Sequence, residues 1–354
     1  MPPRPRKTAA VGSFKITSTG MLAWTICTIV IEGVAAFSTI EAFSMPSHRP
    51  VSAFSRTAVA KSWFAKPTLG LLSFDLDDTL FPTGQVVESA NQVMIERMHE
   101  IGCKDATIPL FLDNTRSIRK GLTEPITYRD LRKKTIRMTL LESTAFQNDE
   151  IGKELDLLVE DCYAAWVNER HAAAERFVFD DAVETLQSLR VKYPDACIAA
   201  ITNGAGNPLV MSKTLAPFFD LRVSGEDDGV FPHRKPHPYI YEYTLKQYAS
   251  KSGDDAGSVW CHVGDCLAND VGASASCGAQ AIWMCTEKEE DSTASRLVDT
   301  RRVPVWSTAS THELERRAQQ AAKGKESVAA KIERLAELPD AIEKILSSTL
   351  ARSS

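Results

Sequence analysis

The stretch Phe74-Asp75-Leu76-Asp77-Asp78-Thr79-Leu80 joins an apolar run (Leu71, Leu72, Phe74) to two carboxylates one residue apart. The run reads as a β-strand, which puts Asp75 and Asp77 together just past its C-terminal end, where open α/β sheets place their reactive loops. Two acids held so close divide their roles. One ionised carboxylate attacks an electrophile or binds a cation, while the other carries a proton for a leaving group. Alone, an Asp-x-Asp-x-Thr pattern is equally a turn. Its meaning depends on the segments that follow.

Three later segments arrive in order. Cys197-Ile198-Ala199-Ala200-Ile201 reads as a buried parallel strand ending in Thr202-Asn203-Gly204. A hydroxyl, an amide and a glycine at a strand-to-helix turn suit phosphate oxygens. Arg234-Lys235-Pro236-His237-Pro238 sets a lysine before prolines that open a helical stretch, Tyr239 to Tyr248. Val259-Trp260-Cys261-His262-Val263 is another strand, followed by Gly264-Asp265-Cys266-Leu267-Ala268-Asn269-Asp270. The closely spaced acids there offer the oxygen ligands that suit magnesium.

Together, Asp75/Asp77, Thr202, Lys235 and Asp265/Asp270 resemble the four ordered motifs of the haloacid dehalogenase superfamily, over roughly Gly70 to Thr286. The resemblance implies a Rossmann-like α/β fold, a parallel sheet with helices on both faces, and magnesium-dependent phosphohydrolase chemistry. It makes Asp75 the nucleophile that forms an aspartyl-phosphate and Asp77 the general acid/base. Thr202, with Asn203 and Gly204, corresponds to the phosphate-binding turn and Lys235 to the charge-neutralising lysine. Asp265 corresponds to a metal-binding acid, and Asp270 to a second acid that orients the metal's water or the lysine. The expected metal set is Asp75, Asp77, Asp265 and Asp270. The family's dehalogenases lack an aspartate at the place of Asp77 and need no metal, so Asp77 favours phosphate ester cleavage.

The physical logic agrees. Phosphoryl transfer spreads negative charge over three oxygens, so catalysis is largely positioning plus positive charge. An anionic Asp75 approaches an anionic phosphate only when a cation screens their repulsion, which makes Mg2+ integral to the reaction. Within the same fold, a phosphotransferase or phosphomutase and a non-catalytic metabolite-binding protein are the alternatives. The expected partner is a small phosphorylated metabolite.

With 354 residues, 44% hydrophobic and 25% charged, the chain can bury a core for a catalytic domain and a smaller second one. Its net charge of -5 argues against a general nucleic-acid binder. Residues 1–66 differ from the rest. Arg4, Arg6, Lys7 and Lys15 precede the short apolar run Met21 to Ile31 and the small residues Gly33 to Ala36, a signal-peptide pattern. The segment Phe37 to Lys66 is rich in serine and alanine, with Glu41 its only acid, as in a transit peptide. The Ala35-Ala36-Phe37 junction resembles the bipartite presequence of algae with complex plastids. The expectation is a stromal protein, free of stable membrane association after processing, whose mature chain begins near Trp63 to Lys66; a membrane anchor or a plain disordered tail, with another organelle or the cytoplasm as location, is the alternative. The cysteines show no Cys-x-x-Cys spacing and read as buried thiols, with Cys266, beside Asp265, the one open to oxidation.

Between residues 85 and 177 the periodicity is helical. Val86, Ala90, Met94 and Met98 outline one helix ended near Gly102, Leu131 to Leu141 a second, and Leu155 to Trp166 a third. An inserted α-helical bundle of this size resembles the family's cap, which closes over the nucleophile and excludes water. The catalytic core is expected over 67–84 and 178–310. The second helix carries Arg129, Arg132, Lys133, Lys134 and Arg137, a cluster that reads first as a solvated face; the sharper expectation is that one of the five reaches a second anionic group on the substrate, with Arg132 and Arg137 the ones to replace, and Arg116, Arg119 and Lys120 compete for that role. Ala279 to Met284 reads as the next strand and Val303-Pro304-Val305-Trp306 as an edge strand. The tail, 311–354, reads as helical, with Ile332, Leu335, Leu338, Ile342 and Ile345 on one stripe.

Overall fold

A computed structural model describes residues 67–146, 152–252, 258–285 and 311–353. The presequence, the acidic turn Glu287 to Asp291 and the Val303–Trp306 strand lie outside the described residues. The described strands are β1 (Leu69–Phe74), β2 (Cys197–Thr202), β3 (Leu221–Ser224), β4 (Val259–Gly264), β5 (Gln280–Met284) and β6 (Val328–Ile332). They form one sheet in the order β3-β2-β1-β4-β5-β6, and every neighbouring pair is parallel. The chain thus winds outward in both directions from β1. Its topological switch point lies between β1 and β4, where this sheet type opens a crevice.

Helices cover both faces because the strands are apolar on both. Leu72, Phe74, Ile198, Ala200, Val263 and Ile282 point to one side. There they meet Leu186 and Leu189 of the helix Ala182–Lys192, and Ile342 and Ile345 of the helix Leu338–Ser353. Leu71, Ala199, Ile201, Val223 and Trp260 point to the other side, against Ile240 and Tyr241 of the helix Tyr239–Ser252. Each such side chain, fully withdrawn from water, contributes about 1.5–3 kcal/mol before entropy is counted.

The inserted segment is helical, as its periodicity predicts. In chain order it holds α1 (Thr83–Glu100), α2 (Ile108–Lys120), α3 (Tyr128–Glu142) and α4 (Gly152–Arg176). Met94, Met98, Phe111, Ile136, Leu140, Val159 and Cys162 make its own core. Thr107 and Thr127 cap α2 and α3, each accepting from the backbone N–H three residues on. Glu226, from the loop after β3, accepts the N–H groups of Tyr128 and Arg129 at the start of α3. Core and cap are therefore linked at that helix end, where a carboxylate complements the dipole.

The tail departs from the helical reading. Its first part is α9 (Thr311–Glu326; α5 to α8 precede it at Ala182–Lys192, Pro208–Met211, Tyr239–Ser252 and Ala273–Ser276), but Val328–Ile332 turns into β6 beside β5. The apolar stripe is accordingly split: Ile332 ends a strand, Leu335 sits in a 3-10 turn, and only Leu338, Ile342 and Ile345 share α10 (Leu338–Ser353). Among the described residues no helix is long and apolar enough to cross a membrane.

Candidate active site

Asp75 is placed by the sheet itself, since its N–H continues the β1–β4 ladder by donating to Val263 O at 2.9 Å. A tight turn follows, with Leu80 N donating to Leu76 O at 2.9 Å and Asp78 in the left-handed region at φ 61°. Short polar residues tolerate that conformation better than branched ones. Asp78 Oδ1 accepts from Thr83 N at 2.8 Å, pinning the turn to the start of α1. At the end of β4, Gly264 leaves room for Asp270, whose Cβ and Cγ would each lie 2.4 Å from a Cβ at residue 264.

Lys235 joins the strand ends. Its Nζ donates to Asp75 Oδ1 at 2.5 Å and to Asp270 Oδ1 at 2.7 Å, with the lysine side chain 2% exposed. Asn203 Nδ2 holds the lysine's backbone by donating to Lys235 O at 3.0 Å. Asp270 accepts further from Cys266 N at 3.1 Å through Oδ2, and His262 Nε2 lies 3.4 Å from Oδ1. Behind it, His262 Nδ1 is 2.8 Å from Ser73 Oγ, which accepts from Trp260 Nε1 at 2.8 Å. Burial pushes the His262 imidazole down, towards its neutral form. The indole only donates, so Ser73 is free to give its proton to Nδ1 and leave Nε2–H for Asp270.

The charges explain the titration of the centre. Burial opposes ionisation of Asp270, but Lys235 and His262 outweigh it and hold its carboxyl at about 2. Asp75 is pushed up to about 8, first by burial and then by Asp270 and Asp77, against the pull of Lys235. One lysine between two buried acids leaves excess negative charge. Burial lowers Lys235, yet Asp270 and Asp75 together raise it, so the ammonium persists.

These groups open on a cavity of about 550 Å³. Asp75, Asp77, Asn203, Gly204, Lys235, Asp265 and Asp270 all line it. Thr202 does not; it ends β2 fully buried, its Oγ1 accepting from Gly204 N at 3.3 Å. Ligand oxygens of Asp75, Asp265 and Asp270 lie within 4.8 Å of one another, the one such group of three among the described residues. The Asp77 carboxylate is outside that group and meets Arg170 instead, whose Nη2 donates to Oδ1 at 3.2 Å. Asn203 Oδ1 and Asn269 Oδ1 are buried acceptors without a donor, and both residues line the cavity. Hard oxygens and surplus negative charge fit a small divalent cation. Both Asp270 oxygens already receive protein donors, which suits that acid to orienting Lys235.

The surroundings of Cys266 disfavour its thiolate. Burial, with Asp265 and Asp270 nearby, pushes it up to about 12, so the thiolate that oxidation requires is suppressed. Of the basic residues on α3, Arg129 and Arg132 line the cavity. Arg137 pairs with Asp156 on another face, and its expected contact with substrate is thereby excluded. Arg116 pairs with Asp113 within α2.

Among the cavity residues that the sequence did not bring forward are Arg170 and Arg317. Arg170 lies one turn beyond Trp166 on α4, and extending that stripe by four residues would have reached it. Arg317 comes from α9, with its Nε buried and without a hydrogen-bond partner among the described residues. Its helix docks through two glycines: a Cβ at Gly324 would lie 2.2 Å from Leu267 O, and one at Gly272 2.4 Å from Gln320 O. No local signal in that charged helix points to a site.

A sequence profile of haloacid dehalogenase-like hydrolases matches residues 70–278, more than half of the chain. Among solved structures, the 2-haloacid dehalogenase of Pseudomonas syringae pv. Tomato DC3000 has the same fold, with 20% identity, a TM-score of 0.54, and cover of 78% of this chain and 99% of that one. A HAD phosphatase from Thermococcus onnurineus is 16% identical at a TM-score of 0.39, covering 77% and 98%. L-2-haloacid dehalogenase from Xanthobacter autotrophicus is also 16% identical, at 0.41, covering 78% and 99%. No curated protein sequence matches the chain. On the profile match and the motif order along the sheet, the chain belongs to the haloacid dehalogenase-like hydrolases.

Proposed function

We propose that this hydrolase is a magnesium-dependent phosphatase acting on small phosphomonoesters. The observation that carries the reading is the pair Asp75 and Asp77 opening on one cavity, with Lys235 bound to the first. An Asp75 oxygen attacks phosphorus while the bond to the leaving oxygen breaks, and Asp77 gives that oxygen its proton. Asp77 then takes a proton from water, which attacks the aspartyl-phosphate and releases inorganic phosphate. Lys235 and the Asn203–Gly204 turn hold the phosphoryl oxygens and their developing charge, while the buried Thr202, expected to bind phosphate, supports that turn by accepting from Gly204 N. Asp75 and Asp265 would hold a magnesium ion, whose charge would offset the repulsion between carboxylate and phosphate. Dehalogenation needs no second acid, so the presence of Asp77 supports ester hydrolysis. The acid-poor leader and its Ala35-Ala36-Phe37 junction support delivery to a plastid stroma, which a fluorescent fusion to residues 1–66 would test.

The decisive assay uses the full chain on a panel of phosphomonoesters and on 2-chloropropionate, with MgCl2 or with EDTA, beside Asp75→Asn. Magnesium-dependent phosphate release that vanishes in Asp75→Asn is expected. Halide release without phosphate release, or activity surviving Asp75→Asn, would sink the proposal.

A further inference from the structure

We propose that Arg132 is the receptor for a second anionic group, and that the substrates are phosphomonoesters whose alcohol portion itself carries a carboxylate or another phosphate. The inference rests on the phosphatase reading of the same cavity and narrows its substrate class.

Several neighbouring cap cations already have acidic partners. Arg170 is paired with Asp77 at 3.2 Å, Lys133 with Glu160 at 2.7 Å and Arg129 with Asp130 at 3.5 Å, while Arg137 is paired with Asp156. Among the described residues Arg132 has no ion pair. Its Nη1 donates to the neutral Asn91 Oδ1 at 2.9 Å, and that oxygen also accepts from Trp166 Nε1 at 3.0 Å. Its Cζ lies 3.8 Å from the Trp166 ring centroid and 5.6 Å from that of Phe111. Burial lowers its proton affinity, and the nearby Arg170 adds repulsion. Tyr163 and then Glu226 offset this, but Glu226 Oε1 is taken by the backbone at the start of α3.

A half-buried guanidinium facing neutral partners is a cation awaiting its counterion. Stacking on Trp166 holds its plane, so the remaining N–H donors point as a preorganised fork suited to a carboxylate or phosphate. Arg132 lines the same cavity as Asp75 and Lys235, and Tyr163, Trp166 and Val167 line it too. A molecule with its phosphoryl group at Lys235 and a second anion at Arg132 would satisfy both ends. The competing explanation is a strut, since Asn91, Arg132 and Trp166 tie α1, α3 and α4 together.

The test compares alkyl phosphates with ω-carboxyalkyl phosphates and alkyl bisphosphates of the same chain lengths, on the full chain and on Arg132→Gln and Arg132→Lys. A charge-assisted pair of this kind is expected to favour the two-anion ester at its best length by about tenfold or more in kcat/KM. Arg132→Gln should erase that preference through KM, leaving the alkyl esters within about threefold, and Lys should restore part of it. Asn91→Asp, which supplies a counterion while keeping the stack, should erase the preference too and serves if Arg132→Gln fails to fold. Equal losses on all ester types, or an unchanged preference, would establish the strut and overturn the subsite. Calorimetric binding of alkylphosphonates against ω-carboxyalkylphosphonates separates the two readings. Tighter binding of the carboxylated probe, lost in Arg132→Gln, upholds the subsite even if no ester is hydrolysed; equal affinities overturn it.

Discussion

Arg170 Nη2, on the long cap helix, lies 3.2 Å from Asp77 Oδ1, on the loop after β1, so cap and catalytic loop meet in a partly buried ion pair. The side chains are 10% and 29% exposed, which limits screening by water. In the proposed reaction Asp77 handles the proton, and Arg170 is the cap residue that aims it.

Arg170→Met should therefore lower kcat/KM by roughly ten- to a hundredfold, the span expected for one charge-assisted hydrogen bond. Arg170→Lys should recover part of this. Steady-state kinetics on any hydrolysed ester, with a melting curve to confirm folding, decide the matter. Wild-type kcat/KM in Arg170→Met would show the contact to be incidental.

Asp75, held at about 8 chiefly by burial, keeps its proton in the folded, cation-free chain at pH values where the unfolded chain has lost it. Its contribution is complete below the ordinary carboxylate range near pH 4 and fades as pH rises towards 8. Asp270, at about 2, works in the opposite sense, contributing above about pH 4 and losing this as pH falls towards 2. In EDTA, Tm should thus decline between about pH 5 and pH 8 through Asp75. Magnesium competes with that proton, so its stabilisation should be larger at the upper end. Differential scanning fluorimetry reads both; an equal magnesium shift across the range would remove Asp75 from the ligand set.

His262, buried between Ser73 and Asp270, should tolerate replacement poorly. His262→Ala opens a cavity and strips Asp270 and Ser73 of a partner, a loss of about 2–4 kcal/mol. Calorimetry should show Tm lower by several degrees. If the imidazole also fixes Asp270 and hence Lys235, kcat falls more than KM rises; unchanged kcat at a temperature where the variant stays folded would leave His262 a packing role alone.

Gly324 meets the Leu267 carbonyl so closely that alanine forces α9 away from the turn bearing Asp270. Gly324→Ala should cost about 1–3 kcal/mol by overpacking. Because Arg317 rides on the same helix, ester selectivity should change along with Tm. A variant with wild-type Tm and selectivity would show that α9 does not hold this position in solution.

Much of the candidate site was legible because its chemistry is local. Asp75 and Asp77 follow a strand directly, Thr202 ends one, and Asp265 with Asp270 follow another; each strand's apolar continuity marks the sheet that gathers them. The tail was misread for the converse reason. Val328-Ala329-Ala330-Lys331-Ile332 is built largely from good helix formers, and its strand exists because the exposed side of β5 offers backbone partners.

Residue order alone established the parallel α/β core, the helical insertion and the candidate acids and lysine, since these follow from period, apolar runs and the position of polar groups at strand ends. Only the folded chain could separate Arg129 and Arg132, which line the cavity, from the other bases of α3, pair Arg170 with Asp77 across 93 positions, and bring Arg317 to the cavity from outside the family's matched span. Side-chain partners in these cases come from different helices, and the direction in which a charge points depends on packing that no short segment encodes.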